Sequence, residues 1–510
     1  MSMEWFLERF APRGEAAAFI WADQAYSYAW LAREIDDWGL RLSQAGISPG
    51  QVVAVHGDYS PSLSALLLAL MANRNIIVPI ASASMENQAT FSALAQAEVA
   101  IAFAPDDTWQ VVPGSGQAVT HELLLALRQG GRPGLVLFSS GSTGKSKGIV
   151  HDLGLMLEKF RLPRPAWRTI AFLLLDHIGG MNTLLHTLAN GGTLITPAGA
   201  GASGAGPGAP GTQAGAGAPG AWAGAGPGAA PALGAPPPTA PALGAPPPTA
   251  PAPGALPLRT GRSPAEVCAA IARHRADLLP ASPTFLNLLL ISEAYRQYDL
   301  SSLKLITYGT EVMPETVLRR LAAALPGVTL AQTYGLSELG ILRAKSRSSD
   351  SLWVKVGGEG VETKVVDGVL WVRTRSAMLG YLNAPSPFDG DGWFCTGDRV
   401  EQDGEYLRIL GRESDWINVG GAKVYPAEVE SVLLEMEGVL DATVYGERHP
   451  LTGQIVAARV VLAAPEDAVS LKRRVREHCR GRLEGYKVPV KITVTEGPEH
   501  NARFKKVRPR

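Results

Sequence analysis

The sequence predicts an α/β protein whose parallel sheets are covered by helices. Apolar, β-rich runs alternate with helical patterns from residue 15 onward, and this rhythm is what a parallel sheet with helical crossovers requires. The 510 residues leave room for roughly two to four domains and a large core. Residues 51–56 (QVVAVH) read as a strand, 61–72 as the helix after it, and 76–80 (IIVPI) as the next strand. Asn73 and Arg74 end the helical run, which is too short to span a bilayer. A buried-looking strand at 135–138 (LVLF) follows, then one at 192–195. Ser263 caps a helix that has Pro264 at its first position. Towards the carboxyl end come an amphipathic helix at 427–434, strands at 442–445 and 455–462, and a basic helix at 471–483.

Residues 198–258 break the pattern. They are almost wholly Gly, Ala and Pro, and the segment 231–240 recurs as 241–250. Such a stretch cannot bury enough apolar surface to offset its ordering entropy, and its prolines remove backbone donors. It is expected to be a disordered, partly polyproline insertion.

Composition narrows the function. Lys+Arg and Asp+Glu both number 47, so no basic excess points to nucleic acid and no acidic excess to a charged partner. The amino terminus lacks the basic start and apolar block of a signal peptide. The 3 cysteines are far apart and odd in number, which suggests a reducing compartment and neither a disulfide frame nor a metal site. A cytoplasmic protein without a membrane span is expected. Nothing in the sequence fixes the oligomeric state.

The chemistry is concentrated in a few motifs. The strand at 135–138 empties into Ser139-Ser140-Gly141-Ser142-Thr143-Gly144-Lys145-Ser146-Lys147-Gly148. Glycines let backbone N–H groups converge on an anion, hydroxyls add donors, and lysines add charge. The spacing is not that of a P-loop. Thr333-Tyr334-Gly335-Leu336-Ser337-Glu338, Gly392-Trp393-Phe394-Cys395-Thr396-Gly397-Asp398, Gly411-Arg412, Gly420-Gly421 and Lys505-Lys506-Val507-Arg508 follow in that order. Together these resemble the motifs of the adenylate-forming enzymes: acyl-CoA synthetases, luciferases and the adenylation domains of peptide synthetases. The resemblance extends over roughly the whole chain.

The resemblance implies a large amino-terminal domain of packed α/β subdomains (1–410), a hinge (411–416) and a small mobile α+β domain (417–510). It implies ATP-dependent activation of a carboxylic acid to an acyl-adenylate with release of pyrophosphate. Thioester formation follows, with coenzyme A or with the phosphopantetheine of a carrier protein. An amine, nitrite or another nucleophile is an alternative acceptor, and a non-catalytic scaffold using the proline-rich arm is the alternative outside enzymology. ATP, Mg²⁺ and coenzyme A are the implied cofactors, and a small-molecule acid the implied partner.

Residue by residue, the resemblance gives Ser139, Ser140, Gly141, Ser142, Thr143, Gly144 and Lys147 to the ATP phosphates, with Thr143 also catalytic. Thr333, Tyr334, Gly335, Ser337, Asp398, Ile409 and Arg412 fall to the nucleotide, Tyr334 offering a face for adenine and Asp398 accepting the ribose hydroxyls. Glu338 is the expected Mg²⁺ ligand, and Gly420 and Gly421 line the path of the thiol arm. Lys505 is the candidate catalytic lysine, with Lys506 the alternative; Phe504 stands where the family keeps glycine, and Ser146 where it usually keeps proline. If Lys505 acts there, the tail that carries it must be held by docking. The acyl pocket is expected from His177, Ile178, Gly179, Tyr308, Gly309, Thr310, Leu336 and Gly340, His177 contacting or gating the carboxylate. Amino-acid-activating relatives have an aspartate where Ile178 stands, so the substrate is expected to lack an α-amino group and to be an aryl or aliphatic acid.

Overall fold

The structure, a computed structural model, describes residues 4–140, 146–197 and 262–509. The 198–258 insertion lies outside the described residues. The architecture is mixed α/β, and the described residues form five sheets.

One seven-stranded sheet has parallel strands Ile76–Ile80, Val52–His56 and Val99–Phe103 near its centre. A second runs from Thr329–Gln332 through Leu305–Tyr308, Leu278–Ala281, Arg168–Ile170 and Thr193–Ile195 to Ala17–Trp21, all parallel. Their central strands, such as Val52–His56, Ile76–Ile80 and Leu278–Ala281, are buried on two faces, which explains why those strands are apolar throughout.

The helix Pro61–Ala72 packs in a core that also holds Phe19 and Leu194 of one sheet and Val53 and Ile77 of the other. That position accounts for its being apolar all round. Its start is the predicted one: the Ser60 hydroxyl accepts the Leu63 N–H at 3.3 Å, and Pro61 follows at the first helical position. Ser263 begins the helix Pro264–His274 with a full capping box, its backbone N–H donating to Glu266 at 2.7 Å.

The carboxy-terminal region is α+β, with long antiparallel strands Val439–His449 and Gly453–Leu462 and helices Pro426–Leu433 and Ala468–Cys479. The last helix is displaced from the expected 471–483. Asp467 caps it early by accepting from Val469 and Ser470, and Gly481, at φ +77°, lies beyond its end. This region packs against the larger one. Asn287 donates to Asp441 at 2.9 Å, Arg320 to the Leu434 carbonyl at 2.6 Å, and Arg319 pairs with Glu435 at 2.8 Å.

The motif at 139–148 follows a strand, as expected. The strand Gly134–Ser140 leads into an antiparallel partner, Ser146–Asp152, with Ser139 opposite Lys147. No helix among the described residues is long and apolar enough to cross a membrane.

Candidate active site

Most of the described residues that the sequence singled out converge on a cavity of about 1230 Å³. Several of its walls lie just past the carboxyl ends of parallel strands, where open α/β sheets keep their ligand crevices. Gly309 and Thr310 directly follow the strand Leu305–Tyr308, and Thr333 follows Thr329–Gln332. Gly309 is required by close approach, since a Cβ there would meet Thr333 Oγ1 at 2.5 Å. Thr310 sits at φ +72°, an unusual conformation for a β-branched residue that the surrounding contacts must hold.

Ser139 and Lys147 enter the cavity from the paired strands. The Lys147 ammonium lies 4.8 Å from the centre of the Tyr381 ring. Asn383 brackets the start of the second strand, accepting from the Gly148 N–H at 3.1 Å and donating to the Ser146 carbonyl at 2.9 Å. Gly141, Ser142, Thr143 and Gly144 lie outside the described residues, as does the side chain of Ser140.

Gly335, Leu336, Ser337 and Glu338 form one wall. His151 fixes it from behind, its Nε2–H donating to the Ser337 carbonyl at 2.7 Å. Burial holds that ring at a pKa of about 4, so it is a neutral strut. One oxygen of Glu338 accepts the Tyr381 hydroxyl at 2.9 Å. No cluster of three or more metal-ligating side chains occurs among the described residues. A single carboxylate beside substrate phosphates is nonetheless a donor set that suits Mg²⁺.

Asp398 is buried, and both its oxygens are engaged. Arg412 Nε donates to one at 3.0 Å and the Tyr334 hydroxyl to the other at 2.7 Å. Burial pushes the Asp398 carboxyl above its usual range despite Arg412 and Tyr334. Arg412 reaches the cavity, whereas Tyr334 and Asp398 stand behind its wall. Ile409, Tyr308 and Gly340 do not line it either: Tyr308 and Gly340 are buried, and Ile409 packs against a neighbouring core. Gly420 and Gly421 form an exposed turn away from the cavity lining, both at positive φ.

His177 precedes the helix Ile178–Ala189 and caps it, Nδ1 accepting the Gly179 N–H at 3.2 Å. Its other ring nitrogen then carries the proton of the neutral form. Burial, reinforced by the charges of Lys505 and Arg503, holds it well below the usual imidazole pKa. His177, Ile178 and Gly179 line the cavity beside Leu336.

Lys505 lines the cavity; Lys506 does not. Burial lowers the Lys505 pKa, with Arg412 and Arg503 adding to the effect and Glu311 and Asp415 opposing it. Lys506 points the other way, into a buried cluster 3.4 Å from Asp441 and 3.5 Å from Glu430, where it also donates to the Ala442 carbonyl. Arg508 completes that cluster on Glu430 at 2.9 Å.

The tail is docked by Phe504. Its φ of +51° is the left-handed conformation that favours glycine, which gives a reason for a glycine at this point of the motif. The phenylalanine ring is 2% exposed and packs on Phe172 and Phe285, with centroids 5.1 and 5.4 Å away, and stacks on His500 at 4.8 Å. The Ser282 hydroxyl donates to the Phe504 carbonyl at 2.7 Å. Burying a ring of this size outweighs the roughly 1–2 kcal/mol that left-handed backbone costs. Restoring glycine is therefore expected to weaken the protein: Phe504→Gly should lower stability by about 2 kcal/mol. Denaturant unfolding checks this, and a variant more stable than the parent would contradict it.

Lys159 was not singled out by any motif. It lines the cavity, and its ammonium donates to Asn182 Oδ1 at 2.6 Å and to the Ile341 carbonyl at 3.0 Å. Burial brings its pKa down to about 7.

Comparison with known proteins places the chain in a family. The AMP-binding enzyme family profile matches residues 6–205 and 254–382, and that of the AMP-binding enzyme C-terminal domain matches 428–505. The chain is 32% identical over 244 residues to the indoleacetate–CoA ligase of Aromatoleum aromaticum, a match covering 44% of this chain and 47% of that one. A long-chain-fatty-acid–CoA ligase of Haemophilus influenzae is 31% identical over 44% of this chain and 42% of its own length. The chain spans about half the length of the curated relatives it matches. Among solved structures, the amide bond synthetase McbA from Marinactinospora thermotolerans superposes with a TM-score of 0.69, covering 98% of this chain and 96% of that one at 22% identity, a likeness of fold.

Proposed function

We propose that this chain, which belongs to the AMP-binding enzyme family, activates a carboxylic acid with ATP and passes the acyl group to coenzyme A. The observation that carries this reading is the placement of Lys505 in one cavity with Lys147, Glu338 and Arg412.

In the first step a carboxylate oxygen attacks the α-phosphorus of ATP, and the bond from that phosphorus to pyrophosphate breaks. Little covalent chemistry falls to the protein, so positioning and electrostatics dominate. Lys505 holds the carboxylate against the α-phosphate, and Lys147 with Ser139 receives the outer phosphates. Arg412, fixed by Asp398, reaches the ribose or phosphate, and Tyr334 acts by holding Asp398. Glu338 would hold Mg²⁺, which would neutralise charge on the phosphates. His177 stands as a neutral wall beside the carboxylate and adds no second positive charge to compete with Lys505. Gly141, Ser142, Thr143 and Gly144 are assigned to the phosphates by their motif.

In the second step the thiol sulfur attacks the acyl carbon, its proton passes to solvent, and AMP leaves with the bonding electrons. Lys505 must withdraw for this. We assign the withdrawal to rotation of residues 417–510 about 411–416, bringing the exposed Gly420–Gly421 turn to the cavity. The rotation must part both polar contacts such as Arg319–Glu435 and apolar packing, since Val429 and Leu433 share one buried cluster with Leu318 and Leu321. The ligases named above, each acting with coenzyme A, support this acceptor.

The test is product analysis by mass spectrometry after incubation with ATP, Mg²⁺, an acid panel and coenzyme A. An acyl-CoA with stoichiometric AMP is expected. AMP release with the acyl group found only on an added amine would contradict the thioester step.

A further inference from the structure

The far end of the acyl cavity holds a buried lysine without a counterion among the described residues. Lys159 uses two of its three N–H donors on Asn182 and the Ile341 carbonyl, and no carboxylate of the described residues pairs with it. Every titratable neighbour fails to balance it. His186, on the helix Ile178–Ala189, and His151, on the strand Ser146–Asp152, are both neutral at pH 7, held at a pKa of about 4 by burial and by Lys159 itself. Glu158 gives one oxygen to Arg161 at 2.7 Å and leaves the other without a hydrogen-bond partner, neither of them paired with Lys159, and Arg164 adds a further positive charge. A buried charge without a counterion is costly, so such a group in a binding cavity points to a ligand that supplies the partner.

The helix Ile178–Ala189 sets the distance. His177 stands at its start, beside Lys505, and Asn182 lies five residues on. At 1.5 Å per residue that is about 7.5 Å along the axis. Leu173, Gly179 and Leu336 line the cavity as well, and their surfaces are apolar. We propose that the substrate is a dicarboxylic acid with an apolar spacer, whose distal carboxylate is received by Lys159 and whose near carboxylate is adenylated. This rests on the adenylation reading above and adds the substrate class.

The test measures acid-dependent pyrophosphate release for aryl and aliphatic diacids of graded length beside their monomethyl esters. The wild-type protein is expected to prefer one diacid over its monoester by about 10- to 100-fold in kcat/KM, the range for a charge-assisted hydrogen bond. Both Lys159→Met and Lys159→Gln should bring that ratio to about one, the second retaining a donor for Asn182 should the first fold poorly. In the wild type, the KM for the diacid should rise as pH passes above about 7, where free Lys159 loses its proton, while that for the monoester stays flat. A ratio near one in the wild type, or a ratio unchanged in both variants, overturns the inference and leaves adenylation standing. Release with no acid at all overturns adenylation and this inference with it.

Discussion

Lys505→Ala should slow acid-dependent pyrophosphate release by about 10²- to 10³-fold, the loss that follows removal of one charge-stabilising donor from a preorganised site. The same variant should convert a presynthesised acyl-adenylate and coenzyme A to thioester within a few-fold of the parent rate. The split follows from position. Lys505 lies among the groups assigned to the nucleotide and the carboxylate, and it is carried by a tail that the second step requires to leave. A residue that merely supported the fold would depress both steps together. Equal loss in the two half-reactions would therefore remove Lys505 from the chemistry.

Lys506→Met should have the opposite profile. Lys506 is 7% exposed, Glu430 2% and Asp441 5%, so removing the cation leaves two buried carboxylates short of a partner. Burial alone would lower the Lys506 pKa, and Asp441 and Glu430 outweigh it and raise it, which places the charge firmly on the lysine. Asp441 keeps Asn287, and Glu430 keeps Arg508, so the loss should be about 3 kcal/mol, at the lower end for a broken buried pair. Denaturant unfolding measures it. The rate of pyrophosphate release per folded molecule should stay within a few-fold. An unchanged stability with lost adenylation would reverse the roles given to the two lysines.

These neighbouring lysines show what the sequence reveals and what it hides. Their motif spacing marks both, and only tertiary packing turns one to the cavity and the other to Glu430. Local signals were legible because their causes are local. Ser263 before Pro264 sets a helix start through hydrogen bonds within three residues. The apolar strands of the two large sheets were legible because burial on both faces leaves a continuous hydrophobic run.

What was not legible depends on residues far apart in the chain. Phe504 reads as a departure from a glycine motif; its compensation comes from Phe172 and Phe285, more than two hundred residues away. Tyr334 reads as an adenine platform, yet its hydroxyl is turned to Asp398 behind the cavity wall. Lys159 sits in no motif, and its burial exists only because the helix Ile178–Ala189 and the Ile341 carbonyl close over it. In the sequence it stands between Glu158 and Phe160 with Arg161 next, and reads as one of several surface charges.

The most direct test of the account is exchange of labelled pyrophosphate into ATP, with Mg²⁺ and the acid panel but no acceptor. Exchange that requires one class of acid, and that Lys505→Ala slows by about 10²- to 10³-fold, is the predicted result. Folded protein that binds ATP yet exchanges no label with any acid would contradict the formation of an acyl-adenylate at this site.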